Sequence, residues 1–224
     1  MWSLANELSS LVGTELIMPM NRAALPTYAK LAEDRAALGA AYLAATGLVA
    51  LLVMPLIVGL AAVAPMVVAV LLGPQWHEVG PLISLLAFHG LVDVFLRTAA
   101  SPVLAAGRPV VYVKIYVLQV CVLLPLSLWL TREYGVQGAV VATVGTALAL
   151  LPLNATLVAR ALGVSARQLF ATVWRPLVAA AIMYGVTVLT QPPIDAAALT
   201  TGRGFVLLAI FVPLGAATYV AAEL

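Results

Sequence analysis

The sequence predicts an all-α fold: a polytopic transmembrane helical bundle of about seven spans. Three observations predict it. Of the 224 residues, 64% are hydrophobic and 9% are charged, with a mean hydropathy of +1.11. A soluble domain carries about 25% charged residues, because even a well-packed core needs a polar skin. Apolar runs of about 20 residues recur along the chain, the length that crosses a hydrocarbon core about 30 Å thick. They lack strict period-two alternation, so helices rather than barrel strands satisfy their backbone. Finally, nine of the eleven Lys and Arg residues fall on alternate turns: Arg22, Lys30 and Arg35; Arg97, Arg108 and Lys114; Arg160, Arg167 and Arg175. The intervening turns hold Arg132 and Arg203. Such alternation marks the loops that stay cytoplasmic.

The first span covers residues 3–24, interrupted by Glu7 and Glu15. The second covers 38–60. No Asp, Glu, Lys, Arg or His occurs between Arg35 and His77, a stretch too long for one span and too short for two. Pro65 and the Gly73-Pro74 turn divide it, so 62–72 reads as the end of the span plus a short interfacial helix. The third span covers 81–104, the fourth 111–131, the fifth 136–158, the sixth 171–190 and the seventh 204–222. The loops at 61–80, 131–136 and 191–203 then face outward, with the N-terminus outside and the C-terminus inside. The first residues have no basic n-region and are not a secretory signal. They read as the middle of a membrane helix, which predicts a further helix upstream of this sequence. Pro55, Pro125, Pro152 and Pro213 lie within or near the ends of spans, where each removes a backbone hydrogen bond. In the fifth span Gly138, Ala142 and Thr146 recur at spacing four beside Ala139, Thr143 and Ala147, a face suited to close helix packing.

Polar residues inside spans carry most of the functional signal. A charge at the helix centre costs about 2.5–3.5 kcal/mol on insertion scales, so it faces the bundle interior or a water-filled cavity. His89, Asp93 and Arg97 stand at i, i+4 and i+8 on one helical face. Asp93 can pair with Arg97, and His89 titrates near physiological pH in its unperturbed state. The stripe suits a substrate cavity or a proton relay; equally, the ion pair alone makes the helix insertable. Glu15, beside the polar side formed by Glu7, Ser10 and Thr14, is a second candidate for carrying a proton or cation, or a structural partner of Arg22. Arg22 can meet an anionic phosphate as well as a carboxylate. Lys114 and Gln119 begin the fourth span, where Lys114 can snorkel to the interface.

Other chemistries are disfavoured. No basic patch interleaved with aromatics suggests nucleic acid. Cys121, the single cysteine, sits in an apolar run and is expected to be a buried, inert thiol. It has no metal-site partners, and His77 with Glu78 is too few ligands for a metal. Glu33, Asp34 and Arg35 read as a solvated loop. No P-loop, nucleophile elbow or His-Glu-x-x-His pair is present, so neither an enzyme nor a cofactor is expected. Gly107-Arg108-Pro109 is a turn between spans.

Four segments resemble the oligosaccharide and polysaccharide flippases of the multidrug/oligosaccharidyl-lipid/polysaccharide exporter superfamily. Arg22-Ala23-Ala24-Leu25-Pro26-Thr27-Tyr28-Ala29-Lys30-Leu31 is similar to the family's R-x-x-x-P-x-x-[SA]-x-L helix end. Leu72-Gly73-Pro74-Gln75-Trp76 resembles its leucine-glycine-x-x-tryptophan turn. Val103-Leu104-Ala105-Ala106-Gly107-Arg108 and Gly135-Val136-Gln137-Gly138-Ala139 are similar to a further helix end and helix entry of the family. The resemblance covers about residues 1–160.

The resemblance implies two six-helix lobes around a cavity, often followed by two extra helices. This chain would then hold a partial C-terminal lobe over 1–160 and two additional helices over 161–224, without the N-terminal lobe. It further implies movement of undecaprenyl-pyrophosphate-linked sugar units, as in O-antigen and lipopolysaccharide assembly, across a bacterial inner membrane. The expected partners are membrane lipid, the lipid-linked oligosaccharide, the missing N-terminal lobe and polysaccharide polymerase machinery. Arg22, Arg97 and Arg108 are the candidates for substrate binding; Arg22 and Arg108 lie in matched segments. Glu15, His89 and Asp93 are the candidates for ion or proton coupling, from their intramembrane chemistry alone. The alternatives are a cation-coupled multidrug exporter and a non-transporting membrane scaffold subunit.

Overall fold

The computed structural model describes residues 24–71, 73–76, 79–190, 215 and 218–219. The expected first and seventh spans, and with them Glu15 and Arg22, lie outside or almost wholly outside the described residues, as do His77 and Glu78. Among the described residues every regular element is helical: α1 (described over 24–30), α2 (Arg35–Leu71), a short 3-10 turn at Pro74–Trp76, α3 (Val79–Thr98), α4 (Ala100–Ala105), α5 (Val110–Leu162) and α6 (Ala166–Thr190).

The Asp34 carboxylate starts α2, accepting hydrogen bonds from the backbone N–H groups of Ala36 and Ala37 at 2.9 and 3.0 Å. Such caps satisfy donors that the first turn cannot pair internally. The helix then runs unbroken through Pro55 and Pro65 to Leu71. The expected short helix over 62–72 is therefore not a separate element: as far as Leu71 it continues α2. Ala64, Met66 and Val68 are buried, and Ala64 and Val68 pack with Val79, Ile83 and Leu86 of α3. This end of α2 thus packs against α3. The expected turn follows, closed by the Trp76 N–H donating to the Gly73 carbonyl at 3.1 Å.

Residues 110–162 also differ from expectation. The loop foreseen over 131–136 shrinks to one residue, Gly135, at φ 58° and ψ −137°. That backbone region is close to glycine-only, so a single residue redirects the chain. It divides α5 into arms of 110–134 and 136–162, each long enough to cross a membrane. Gly138 lies against the backbone of Leu130 across this hinge. By length and apolar composition α2, the α3–α4 segment, α5 and α6 can all cross a membrane. With α5 divided, they supply five candidate spans.

Cys121 is exposed, not buried. The arm at 110–134 keeps Ile115 as its sole fully buried residue among those described. In lipid an apolar run does not signal burial, because the solvent is itself apolar.

Ala50, Met54 and Val58 of α2 pack on Ala179, Ala180 and Met183 of α6. At one end of the bundle a cluster of Tyr28, Leu38, Val103, Ile115 and Leu162 joins α1, α2, α4 and both arms of α5. There Arg108 Nη1 donates to the Arg160 carbonyl at 3.4 Å, and Gly39 abuts Val164 and the Leu162 carbonyl. The described turns of all three basic groups therefore gather at one end, as the alternating charge pattern requires.

Candidate functional site

The α3 stripe forms as the i, i+4, i+8 spacing dictates. Asp93 and Arg97 are joined by a charge-assisted bond, Arg97 Nε donating to Asp93 Oδ2 at 2.5 Å. Their side chains are 36% and 41% exposed. Asp93 stands near the middle of the Val79–Ala105 segment, roughly 18–21 Å from either end at 1.5 Å per residue. A half-exposed ion pair at that depth cannot face hydrocarbon without a large desolvation cost. Its face therefore borders either water or other polar protein groups.

His89 and Asp93 open into a small cavity of about 10 Å³ between α3 and both arms of α5. Gln119 enters from the 110–134 arm, and Thr146, Leu150 and Asn154 from the 136–162 arm. Thr146, Leu150 and Asn154 repeat the i, i+4, i+8 spacing of the opposing α3 stripe. Three buried polar atoms here, His89 Nδ1, Thr146 Oγ1 and Asn154 Oδ1, have no protein partner. Thr146 and Asn154 are 1% and 2% exposed. Buried polar atoms normally find partners, and a cavity of this size admits about one water. The site thus has acceptors and a hydroxyl arranged around room for one small polar group.

A second cavity of about 360 Å³ adjoins the first at Val92, Leu96 and Asn154. Its wall is apolar, with Met54, Phe95, Phe170 and Leu177 among its lining. Alongside α3, the 110–134 arm runs antiparallel: the Tyr112 hydroxyl donates to the Leu96 carbonyl at 2.5 Å, and Gln119 meets His89 and Asp93 at the cavity.

His89 and Asp93 are brought together, with Arg97 bonded one turn away. Arg108 stands apart at the basic end, with its guanidinium on Arg160. Sequence reasoning gave Thr146 to packing alone and passed over Asn154. The signal for both was a polar side chain in an apolar run at the spacing of the facing stripe.

Helices of this length and hydropathy around a polar interior cavity define a helical membrane protein. Residues 1–81 match the family model described as "Polysaccharide biosynthesis protein". Over 107 residues the chain is 26% identical to the teichuronic acid biosynthesis protein TuaB of Bacillus subtilis (strain 168), covering 48% of this chain and 22% of that protein. The chain thus spans about a fifth of that relative's length. No solved structure matches it. These similarities support a role in polysaccharide biosynthesis or export. The family match covers α1, α2 and the Gly73 turn, and ends before the α3 stripe.

Proposed function

We propose that this chain is part of a lipid-linked oligosaccharide flippase. The complete protein would carry undecaprenyl-pyrophosphate-linked sugar units from the cytoplasmic to the periplasmic leaflet of a bacterial inner membrane for surface polysaccharide synthesis. The observation that carries this reading is the half-exposed Asp93–Arg97 pair midway along an apolar segment. A polar substrate crossing a membrane needs such a lining. The similarity to a polysaccharide biosynthesis family supports a saccharide substrate.

In this reading the end that holds Arg108, Arg160 and Arg167 faces the cytoplasm, where Arg108 would meet the pyrophosphate; Arg22 is a second candidate from the sequence. Asp93 and His89, with Glu15, are the groups suited to coupling an ion or proton. The role is transport rather than catalysis, and the rest of the transporter and the polysaccharide polymerase machinery are its proposed partners.

The test is surface polysaccharide in cells whose complete protein carries Asp93→Asn or Arg97→Ala, with membrane insertion checked by immunoblot. Loss of polysaccharide at unchanged insertion is expected. Wild-type polysaccharide in both variants would remove the pair from the mechanism. Drug resistance without a polysaccharide defect would turn the reading toward a multidrug exporter.

A further inference from the structure

The face shared by α3 and the 110–134 arm carries chemistry that the pyrophosphate does not explain. Tyr112, Tyr116 and Gln119 stand at i, i+4 and i+7 on that arm, so they project from one side. Tyr112 is fixed by its bond to the Leu96 carbonyl. Gln119 borders the cavity with Asp93. Between them on the same side stands Tyr116, with its ring centre 6.0 Å from that of Tyr112. Tyr116 is 54% exposed, so its ring is largely uncovered.

Asp93 is bonded to Arg97, so the pair offers a charged donor and a charged acceptor side by side. A phosphate gains little there, because the carboxylate repels it. A hydrocarbon chain gains nothing from the ion pair or from Gln119. A pyranose ring fits both halves. Its hydroxyls donate to a carboxylate or amide oxygen and accept from a guanidinium. The C–H groups on its apolar side carry partial positive charge that the negative face of an aromatic ring attracts.

We infer that Tyr116, with Asp93, Arg97 and Gln119 beside it, forms a sugar-ring subsite, in which Tyr116 is the stacking platform and the ion pair reads the hydroxyls. This rests on the flippase reading and adds to it a division of labour. The basic end holds the pyrophosphate, and the saccharide reaches toward the middle of the span. Tyr116 is thereby a specificity-determining residue for the saccharide.

The experiment compares two probes on the complete protein in nanodiscs. One is the lipid-linked saccharide extracted from the source cells; the other is undecaprenyl pyrophosphate without sugar. Wild type is expected to bind the saccharide-bearing lipid about tenfold more tightly. Tyr116→Ala and Tyr116→Leu should lose that preference and bind both lipids alike, since neither has a flat ring. Tyr116→Phe should keep it. Equal binding of both probes by wild type overturns the inference, as does a preference retained in Tyr116→Ala. Its failure is distinct from failure of the flippase reading. A polysaccharide defect in Asp93→Asn together with an unchanged preference in Tyr116→Ala would leave transport standing and remove the stacking subsite.

Discussion

Gly80 of α3 rests on Pro65 of α2 so closely that a β-carbon on Gly80 would lie 2.7 Å from the Pro65 Cα. Backbone atoms on both sides make this contact, so no side-chain rotation relieves it. Nearby, the Ser84 hydroxyl donates to the Ala61 carbonyl at 2.7 Å, a second tie between the same helices. The pairing holds the α3 stripe against the bundle.

Gly80→Ala is therefore expected to force α2 and α3 apart and lower stability by about 1–3 kcal/mol, the range for overpacking a close interface. Thermal unfolding of the detergent-solubilised protein measures it. Gly185→Ala in α6 is the control. Nothing lies within 4 Å of its added carbon, so it should be neutral or stabilise by up to about 1 kcal/mol through helix propensity. Equal behaviour of the two variants would refute the contact.

The Gly135 hinge makes a second prediction. At φ 58° and ψ −137°, any side chain is strained, by about 1–3 kcal/mol. Gly138 adds a steric demand, because a β-carbon there runs into the Leu130 backbone. Gly135→Ala and Gly138→Ala should each lower the amount of correctly inserted protein, measured by protease protection of tags at the two ends of α5. Unchanged protection in both would mean that the turn has other support.

Composition and charge spacing made the class and the helices legible. Residues 125 positions apart, such as Gly39 and Val164, meet where alternating Lys and Arg placed the turns on one side. The stripe His89, Asp93 and Arg97 was legible for a local reason: helical spacing fixes it within one element. The facing residues were not, because nothing in the chain states which helix lies opposite. Thr146 looked like packing and does pack; only the pairing with α3 shows that its hydroxyl also borders a cavity. The continuity of α2 past Pro65 was hidden for the same reason, since packing against α3 decides it.

Ser165 and Gln168 form a reciprocal cap on α6. The Gln168 side chain accepts from the Ser165 N–H at 2.8 Å, and the Ser165 hydroxyl accepts from the Gln168 N–H at 3.1 Å. Two donors of the first turn are satisfied together. Ser165→Ala should lower thermal stability by about 1 kcal/mol, and Ser165→Asp should retain most of it. An Ala variant as stable as wild type would show that the cap contributes nothing.

The Asp93–Arg97 pair allows its structural and functional roles to be separated. Removing one partner leaves the other charge uncompensated near the middle of the span, and fully buried pairs broken in this way lose about 3–5 kcal/mol. This pair is half exposed, so the loss should be smaller. Asp93→Asn with Arg97→Gln removes both charges, and stability should return close to wild type. If the pair serves only to make α3 insertable, surface polysaccharide should return with it. A pair that lines the substrate path predicts a different result: the double variant regains stability but still lacks polysaccharide. Thermal unfolding and polysaccharide quantified on the same four proteins decide between them, and joint recovery of both readouts would assign Asp93 and Arg97 to architecture alone.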